Sequence, residues 1–340
     1  MNTRSDKIRN RRKRKKRKTL VLIMFPILLI VFAAVSYGGF LFSKASDIAA
    51  GSQEELSRGE QSQRRMAAVD PSKDSISILI MGVDESDTRS DFGDAIRTDA
   101  LILATFNVKD KSVKMVSIPR DSYVYIPDRG KRDKITHAHA YGGTESTIET
   151  VEELFDIPVD YFFKLNFKAF IDVVDALGGI MVDVPITVSE MDSNDNKNAI
   201  HLEEGFQKLN GEEALALART RKIDNDIERG KRQQLVVKAM IDKAISVGSV
   251  TKYGDVMESM GNNLSTNMDF SEMLGLFNYA LGGLDIESLE LEGADDRINN
   301  IYYYQLEDSS IKEIEHTLKV HLDLAENIAN NAIENDYKLN

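Results

Sequence analysis

Residues 75–121 read SISILIMGVDESDTRSDFGDAIRTDALILATFNVKDKSVKMVSIPRD, and their hydropathy pattern decides the fold. Three apolar runs rich in β-branched residues, Ser75–Gly82, Asp99–Val108 and Ser112–Ile118, read as strands. A loop of about a dozen residues joins the first to the second, and the polar turn Lys109–Lys111 joins the second to the third. As an antiparallel meander, these strands bring the end of the first, the start of the second and the end of the third to one sheet edge. Asp84, Arg97, Asp99, Arg120 and Asp121 then share a rim. Arg97 and Asp99 project the same way there, because side chains alternate with period two in extended chain.

Outward from this core, strands are expected at Tyr161–Phe167 and Ile180–Val184, with a late pair at Ile286–Leu291 and Ile301–Leu306. Helical periodicity marks Ser146–Phe155, Lys168–Leu177, Gly211–Ala218, Ile227–Ser246, Ser271–Leu281, Ile311–Leu318 and Leu322–Glu334. Asn210 with Glu213, and Asn225 with Glu228, have capping-box spacing, and Gly178-Gly179 ends the helix before it. Strands covered by helices point to an α/β or α+β sandwich.

The N-terminus is of another kind. Eleven of the first eighteen residues are Lys or Arg, and Leu20–Phe42 is uncharged. That apolar stretch spans roughly 34 Å as a helix, enough to cross a bilayer. The basic flank places residues 1–19 on the cytoplasmic side and everything after 20–42 outside. The expected organisation is a basic tail (1–19), a transmembrane anchor (20–42), a polar stalk (43–73) and one extracytoplasmic domain (74–340). Residues 20–340 carry a net charge of −22, which offers no surface for nucleic acid. The chain has no Cys, which excludes disulfides and thiolate chemistry.

Cations gather in LALARTRKIDNDIERGKRQQ, residues 215–234. Arg219 and Arg221 project together only in extended chain, so the helix should end near Ala218. Arg229 and Gln233 lie one turn apart on the next helix, which begins near Asp226. Guanidinium forks clustered in an acidic domain match phosphate oxygens, although Asp224, Asp226 and Glu228 offer structural ion pairs to some of them. Asp84 and Asp99 are the candidate ligands for Mg²⁺ or Mn²⁺, hard cations that take few carboxylates plus phosphate oxygens. His137-Ala138-His139 has the spacing of two ligands on a strand, Gly142-Gly143 reads as a turn, and no P-loop, GxSxG or dinucleotide fingerprint occurs.

The segments ILIMGVDE, IRTDALIL, VSIPRDSYVYIP, KITHAHAYGG, VDALGGIMVDVP, LNGEEALALARTR and ERGKRQQ, in this order over roughly 76–240, resemble the LytR-CpsA-Psr family of cell-wall glycopolymer transferases. The resemblance implies the α/β form, an α-β-α sandwich around a central mixed sheet, with a long apolar channel for a polyprenyl tail. It implies transfer of an anionic glycopolymer, wall teichoic acid or similar, from undecaprenyl pyrophosphate to a peptidoglycan hydroxyl outside a Gram-positive cell. Carried over, Asp84 and Asp99 look like the Mg²⁺ ligands. Arg97, Arg120, Arg219, Arg221 and Arg229 look like the pyrophosphate clamp, with Gln233 beside them. Asp226, or alternatively Asp121, is the candidate to deprotonate the acceptor. Val173, Val174, Leu177, Val236, Met240, Met273, Leu276 and Phe277 are candidates for channel or core. Rival readings are a polyprenyl-pyrophosphate pyrophosphatase, a membrane-tethered regulator without enzymatic activity, and a polymer-binding module. Eighteen cytoplasmic residues are too few for a DNA-binding domain.

Overall fold

A computed structural model of the chain describes residues 51–83, 97–220, 226–246, 263–280 and 283–324. Period-two alternation sets the layers. Leu79 and Met81 of strand β1 (Ile76–Val83) face one core, with Leu101 and Leu103 of β2 (Thr98–Asn107) and Val116 of β3 (Ser112–Ser117). Ile76 and Ile78, Ile102 and Ala104, and Val113 and Met115 face the other. The three strands form the expected antiparallel meander, with Leu79 opposite Leu103 and Leu103 opposite Val116.

Two β-hairpin strands follow, β4 (Tyr123–Ile126) and β5 (Lys131–Lys134), then helix α1 (Thr136–Phe155), β6 (Tyr161–Asn166), α2 (Phe167–Ala176) and β7 (Ile180–Val184). Next come β8 (Val188–Glu190), β9 (Ile200–Leu202), β10 (Gly205–Leu209), α3 (Gly211–Arg219) and α4 (Asp226–Ile245). The last described elements are β11 (Leu264–Thr266), α5 (Phe270–Ala280), β12 (Asp285–Leu289), β13 (Gly293–Ile298), β14 (Ile301–Leu306) and α6 (Asp308–His321). The six-stranded sheet runs β11-β6-β1-β2-β3-β12, with β1–β6 and β3–β12 parallel and the other pairings antiparallel. Helices α1 and α6 cover one face through Ile148, Val151, Phe155, Ile314 and Leu318. Helices α4 and α5 cover the other through Val237, Ile241, Met273 and Leu276.

Local chemistry explains several boundaries. The capping box at α3 is complete: Glu213 N–H donates to Asn210 Oδ1 at 2.9 Å and Asn210 N–H to Glu213 Oε2 at 2.8 Å. Gly178 and Gly179 take φ of 80° and 83°, which a side chain resists, and end α2. The late strands do not pair with each other. β12 extends the main sheet beside β3, and β14 pairs with β13 through Asn299-Asn300, both at positive φ as a tight hairpin turn requires. Gly142-Gly143 is a kink inside α1, with Gly143 at φ 66°, rather than a turn before a helix. The helix thus starts at Thr136, ten residues before the expected Ser146, and the two histidines lie on its first turn, not on a strand.

The stalk reading fails for residues 51–73. Leu56 enters the core at 7% exposure, and Glu54 N–H bonds Thr266 O at 2.8 Å. Arg58 pairs with Glu152 at 2.9 Å, and Arg65 grips Asp160 through Nε and Nη2 at 2.9 and 2.7 Å. A polar composition looked like linker because its partners lie some ninety residues downstream. Among the described residues no helix is long and apolar enough to cross a membrane, and the span expected at 20–42 lies outside them. The expected helix Leu322–Glu334 falls mostly outside them as well, beyond residue 324.

Two stability predictions follow from these contacts. Asp160 is 3% exposed and also accepts from Ser77 N–H at 2.9 Å, so Arg65→Ala strands a buried carboxylate. It should cost about 3–5 kcal/mol in denaturant unfolding, whereas a residue on a free stalk would cost about 0.5 kcal/mol or less. His321 is buried between Thr105 Oγ1 at 2.8 Å and Ser112 Oγ at 2.9 Å, and burial first, then Lys114, lowers its pKa from 6.5 to about 4. Within that window the unfolded chain binds a proton that the folded chain refuses. Stability should therefore be full above the upper value and fall toward acid by up to roughly 3 kcal/mol. Unfolding curves measured across this range, with His321→Gln flattening the slope, check the effect.

Candidate functional site

The rim forms where β3 runs out beside the start of β2. Ile118 N–H still bonds Leu101 O at 2.9 Å, so the next residues pass alongside Asp99. Arg120 Nη1 donates to Asp99 Oδ1 at 2.6 Å, and its Nε lies 3.6 Å from Asp121 Oδ2. Lys134, at the end of β5, holds the other Asp121 oxygen at 2.6 Å. Burial works against the Arg120 charge, but the carboxylates of Asp99, Asp121 and Asp226 outweigh it and hold the guanidinium pKa above its ordinary value. Helix α1 is docked here too, with Thr136 Oγ1 donating to Thr98 O at 2.7 Å and Thr136 N–H to Arg120 O at 3.1 Å.

Helix α4 brings the second half of the site. Its first residue, Asp226, lies 3.4 Å from Nη1 of the buried Arg229. Gly230 lets this helix lie close on β3, since a Cβ there would stand 2.7 Å from Ser117 Oγ. A cleft beside Asp226 is lined by Ser117, Pro119, Gly230, Lys231 and Glu290, with Lys231 bridging Glu228 and Glu290 at 3.1 Å each. Burial and the Asp295 carboxylate, then Asp226 and Asp121, raise the Tyr302 phenol, so it stays protonated at the edge of the site.

The structure brings Asp99, Arg120, Asp121 and Asp226 together. Arg97 is exposed at the start of β2. Arg219 and Gln233 belong to a second group at the α3–α4 junction. Arg219 is the last residue of α3 rather than part of an extended segment; its guanidinium stacks 4.6 Å over Phe167, and Gln233 Nε2 donates to Ala218 O at 3.3 Å. Arg232, read among the cations, is buried and donates to Thr220 O at 2.7 Å, which anchors the chain where it leaves α3. Asp84 and Arg221 lie outside the described residues, as do Asp224 and Asn225. Val83, the residue before Asp84, pairs with Thr98, the residue before Asp99. Among the described residues no group of three or more His, Asp or Glu converges on one point. Asp99, half-buried at the rim, offers the carboxylate oxygens that a hard cation takes. His137 instead meets Asp133 at 3.1 Å, and His139 is buried.

Two site residues escaped sequence reading. Lys134 sits on a hairpin whose signal was present, YVYIPDRGKRDK, with Gly130 at φ 60° and its N–H on Pro127 O at 3.1 Å. Tyr302 sat in an expected strand, and only the joining of Tyr304 N–H to Asp121 O at 2.9 Å carries that strand to the rim.

A helix–sheet–helix domain with carboxylates and guanidinium groups interlocked along one sheet edge is the class of protein seen here, and the chain belongs to the LytR_cpsA_psr family, which it matches over residues 39–320. It is 42% identical over 320 residues, 94% of this chain and 98% of the relative, to the polyisoprenyl-teichoic acid–peptidoglycan teichoic acid transferase TagT of Bacillus subtilis (strain 168). Among solved structures it resembles TagT bound to LIIa-WTA, with a TM-score of 0.70 and 44% identity over 79% of this chain and 99% of that one. It also resembles TagT with bound octaprenyl pyrophosphate lipid, with a TM-score of 0.65 and 40% identity over 79% and 99%.

The seating of α4 is testable. Gly230→Ala should cost about 1–3 kcal/mol by overpacking against Ser117. Ser117→Ala in the same chain removes the closest atom and should restore part of that loss in thermal melts, whereas additive losses would show that the contact does not hold the helix.

Proposed function

We propose that this chain transfers an anionic glycopolymer, of the wall-teichoic-acid kind, from a polyprenyl pyrophosphate carrier to a peptidoglycan hydroxyl. The observation that carries the reading is Arg120 at the rim, a guanidinium fork held between Asp99 and Asp121 within the field of Asp226. TagT, named for this transfer and solved with octaprenyl pyrophosphate, supports it. Residues 1–19 stay cytoplasmic, 20–42 anchors the chain, and the domain works outside the membrane, beginning by residue 51.

Pyrophosphate oxygens compete for Arg120 with its carboxylates, and Arg97, Arg219, Arg221, Arg229 and Gln233 complete the clamp. Asp84 and Asp99 would hold Mg²⁺, which would supply positive charge to offset that of the pyrophosphate. The acceptor oxygen attacks the polymer-side phosphorus, and the bond from that phosphorus to the bridging oxygen breaks. Polyprenyl phosphate leaves, and a phosphodiester joins polymer to glycan. Both Asp121 oxygens already face cations, at 2.6 Å from Lys134 and 3.6 Å from Arg120, so Asp226 is assigned the acceptor proton. The lipid tail lies along the half-buried apolar residues on the α4–α5 side, among them Val237, Ile241, Met273 and Leu276. Val174 and Val236 instead fill a separate core with β7 and β10, so they are not assigned to the channel. Each buried CH₂ contributes about 0.8 kcal/mol, so a partly buried tail binds firmly.

The test uses the full chain in lipid nanodiscs with carrier-linked polymer and peptidoglycan. Polymer should appear covalently on peptidoglycan, and a chelator should stop it. Arg120→Lys keeps the charge but loses the fork, and should weaken octaprenyl pyrophosphate binding about tenfold to a hundredfold with little change in melting temperature. Equal transfer with chelator removes the metal from the reading. Phosphate-terminated polymer released to solution, with none on peptidoglycan, would make the chain a hydrolase instead.

A further inference from the structure

The rim continues into a face that the transfer chemistry does not use. On the β4–β5 hairpin Tyr123 pairs with Lys134 and Tyr125 with Arg132, while Val124 and Ile126 turn inward at 3% and 0% exposure. Alternation thus puts two tyrosines and two cations outward together, with Tyr125 42% exposed. The β13–β14 hairpin adds two more rings, because the bridge between Ser122 and Tyr304 lays it alongside β4. Tyr303 meets Tyr123 edge-on with centroids 4.9 Å apart. Lys134 Nζ lies 5.7 and 5.6 Å over the rings of Tyr302 and Tyr303, and Arg132 lies 6.0 Å over Tyr123. Around the end of the hairpin the motif recurs, with Arg129 and Lys131 at 4.6 and 5.8 Å over Tyr141.

We infer that this face is the subsite for the anionic glycopolymer itself, taking its sugar rings on Tyr123, Tyr302 and Tyr303 and its phosphates on Arg132 and Lys134. Sugar rings present apolar C–H faces that pack on aromatic rings, and phosphodiesters need cations. Segment 129–134 holds four basic residues and one acidic residue in a region whose net charge is −22 from residue 20 onward. A neutral glycan would use the rings and gain nothing from the cations. Continuity with the rim is direct: Lys134, over Tyr302 and Tyr303, is also the residue that holds Asp121 at 2.6 Å. A polymer leaving a pyrophosphate at Arg120 meets these rings next. On the β13 side the face is bounded by acid, where Tyr302 donates to Asp295 at 2.8 Å, so the strand is directed toward Arg132.

The inference deepens the transfer reading and rests on it for the identity of the polymer. The test measures three affinities on the full chain in nanodiscs: for a lipid-free wall teichoic acid oligomer, for octaprenyl pyrophosphate, and for polymer-free muropeptides. Tyr303→Ala and Arg132→Glu should each weaken the oligomer about threefold to tenfold or more, and added salt should weaken it further in the parent. Tyr303→Phe, which keeps the ring, should bind as the parent does. Octaprenyl pyrophosphate and muropeptide affinities should stay unchanged. Unaltered oligomer binding in Arg132→Glu, an exposed position that tolerates exchange, overturns the inference even where Tyr303→Ala fails to fold. So does a loss confined to muropeptides, which would make this the acceptor face. If the parent fails to bind octaprenyl pyrophosphate yet binds the oligomer through Arg132, the carrier reading falls and the polymer face stands.

Discussion

The contact of Arg120 with Asp99 organises the molecule's working edge. It ties the exit of β3 to the entry of β2 at 2.6 Å, and through Asp121 and Lys134 it reaches the β4–β5 hairpin. A guanidinium already paired with carboxylates is preorganised: its rotamer is set in advance of a ligand, and less entropy remains to be lost on binding. Its partners are also negative, so an anionic ligand must displace or screen them. The same ion pair can therefore hold the site in shape and set the conditions for binding an anion.

Arginine–carboxylate pairing recurs on the far side of the domain with the opposite purpose. Arg58, Arg64 and Arg65 bind Glu152, Asp156 and Asp160. These pairs fasten residues 58–65 onto the C-terminal end of α1 and the link that leads from it to β6. The buried Arg65–Asp160 pair is costly to break from one side, because the remaining charge has no water to receive it. Residues 51–73 are thus part of the fold.

Legibility followed the range of the forces involved. The meander of β1, β2 and β3 was readable because alternation and a three-residue turn are local. So was the gathering of Asp99, Arg120 and Asp121 at one edge, which needs only strand order. The capping box at Asn210 and the glycines after α2 were readable for the same reason. Contacts between distant segments were not. Polar residues 51–73 read as linker because an ion pair over ninety residues leaves no periodic trace. The early start of α1 was hidden by Gly142-Gly143, which ordinarily ends helices and here only kinks one. Arg219 was placed in extended chain, but the helix keeps it, and its cation rests on the ring of Phe167.

By itself the sequence determined the strand meander, the acidic and guanidinium residues delivered to its rim, the helix caps and the family, since each depends on nearest-neighbour chemistry or on motifs in order. Tertiary structure alone decided which arginines meet which carboxylates. Arg120 joins Asp99 and Asp121, Arg229 turns to Asp226, and Arg232 is spent on the Thr220 carbonyl. It alone placed Tyr302, Tyr303 and Lys134 beside that rim. Residues 134 and 302 are separated by over 160 positions, and their meeting is set by the packing of two hairpins along one backbone bridge between Ser122 and Tyr304, which no local pattern encodes.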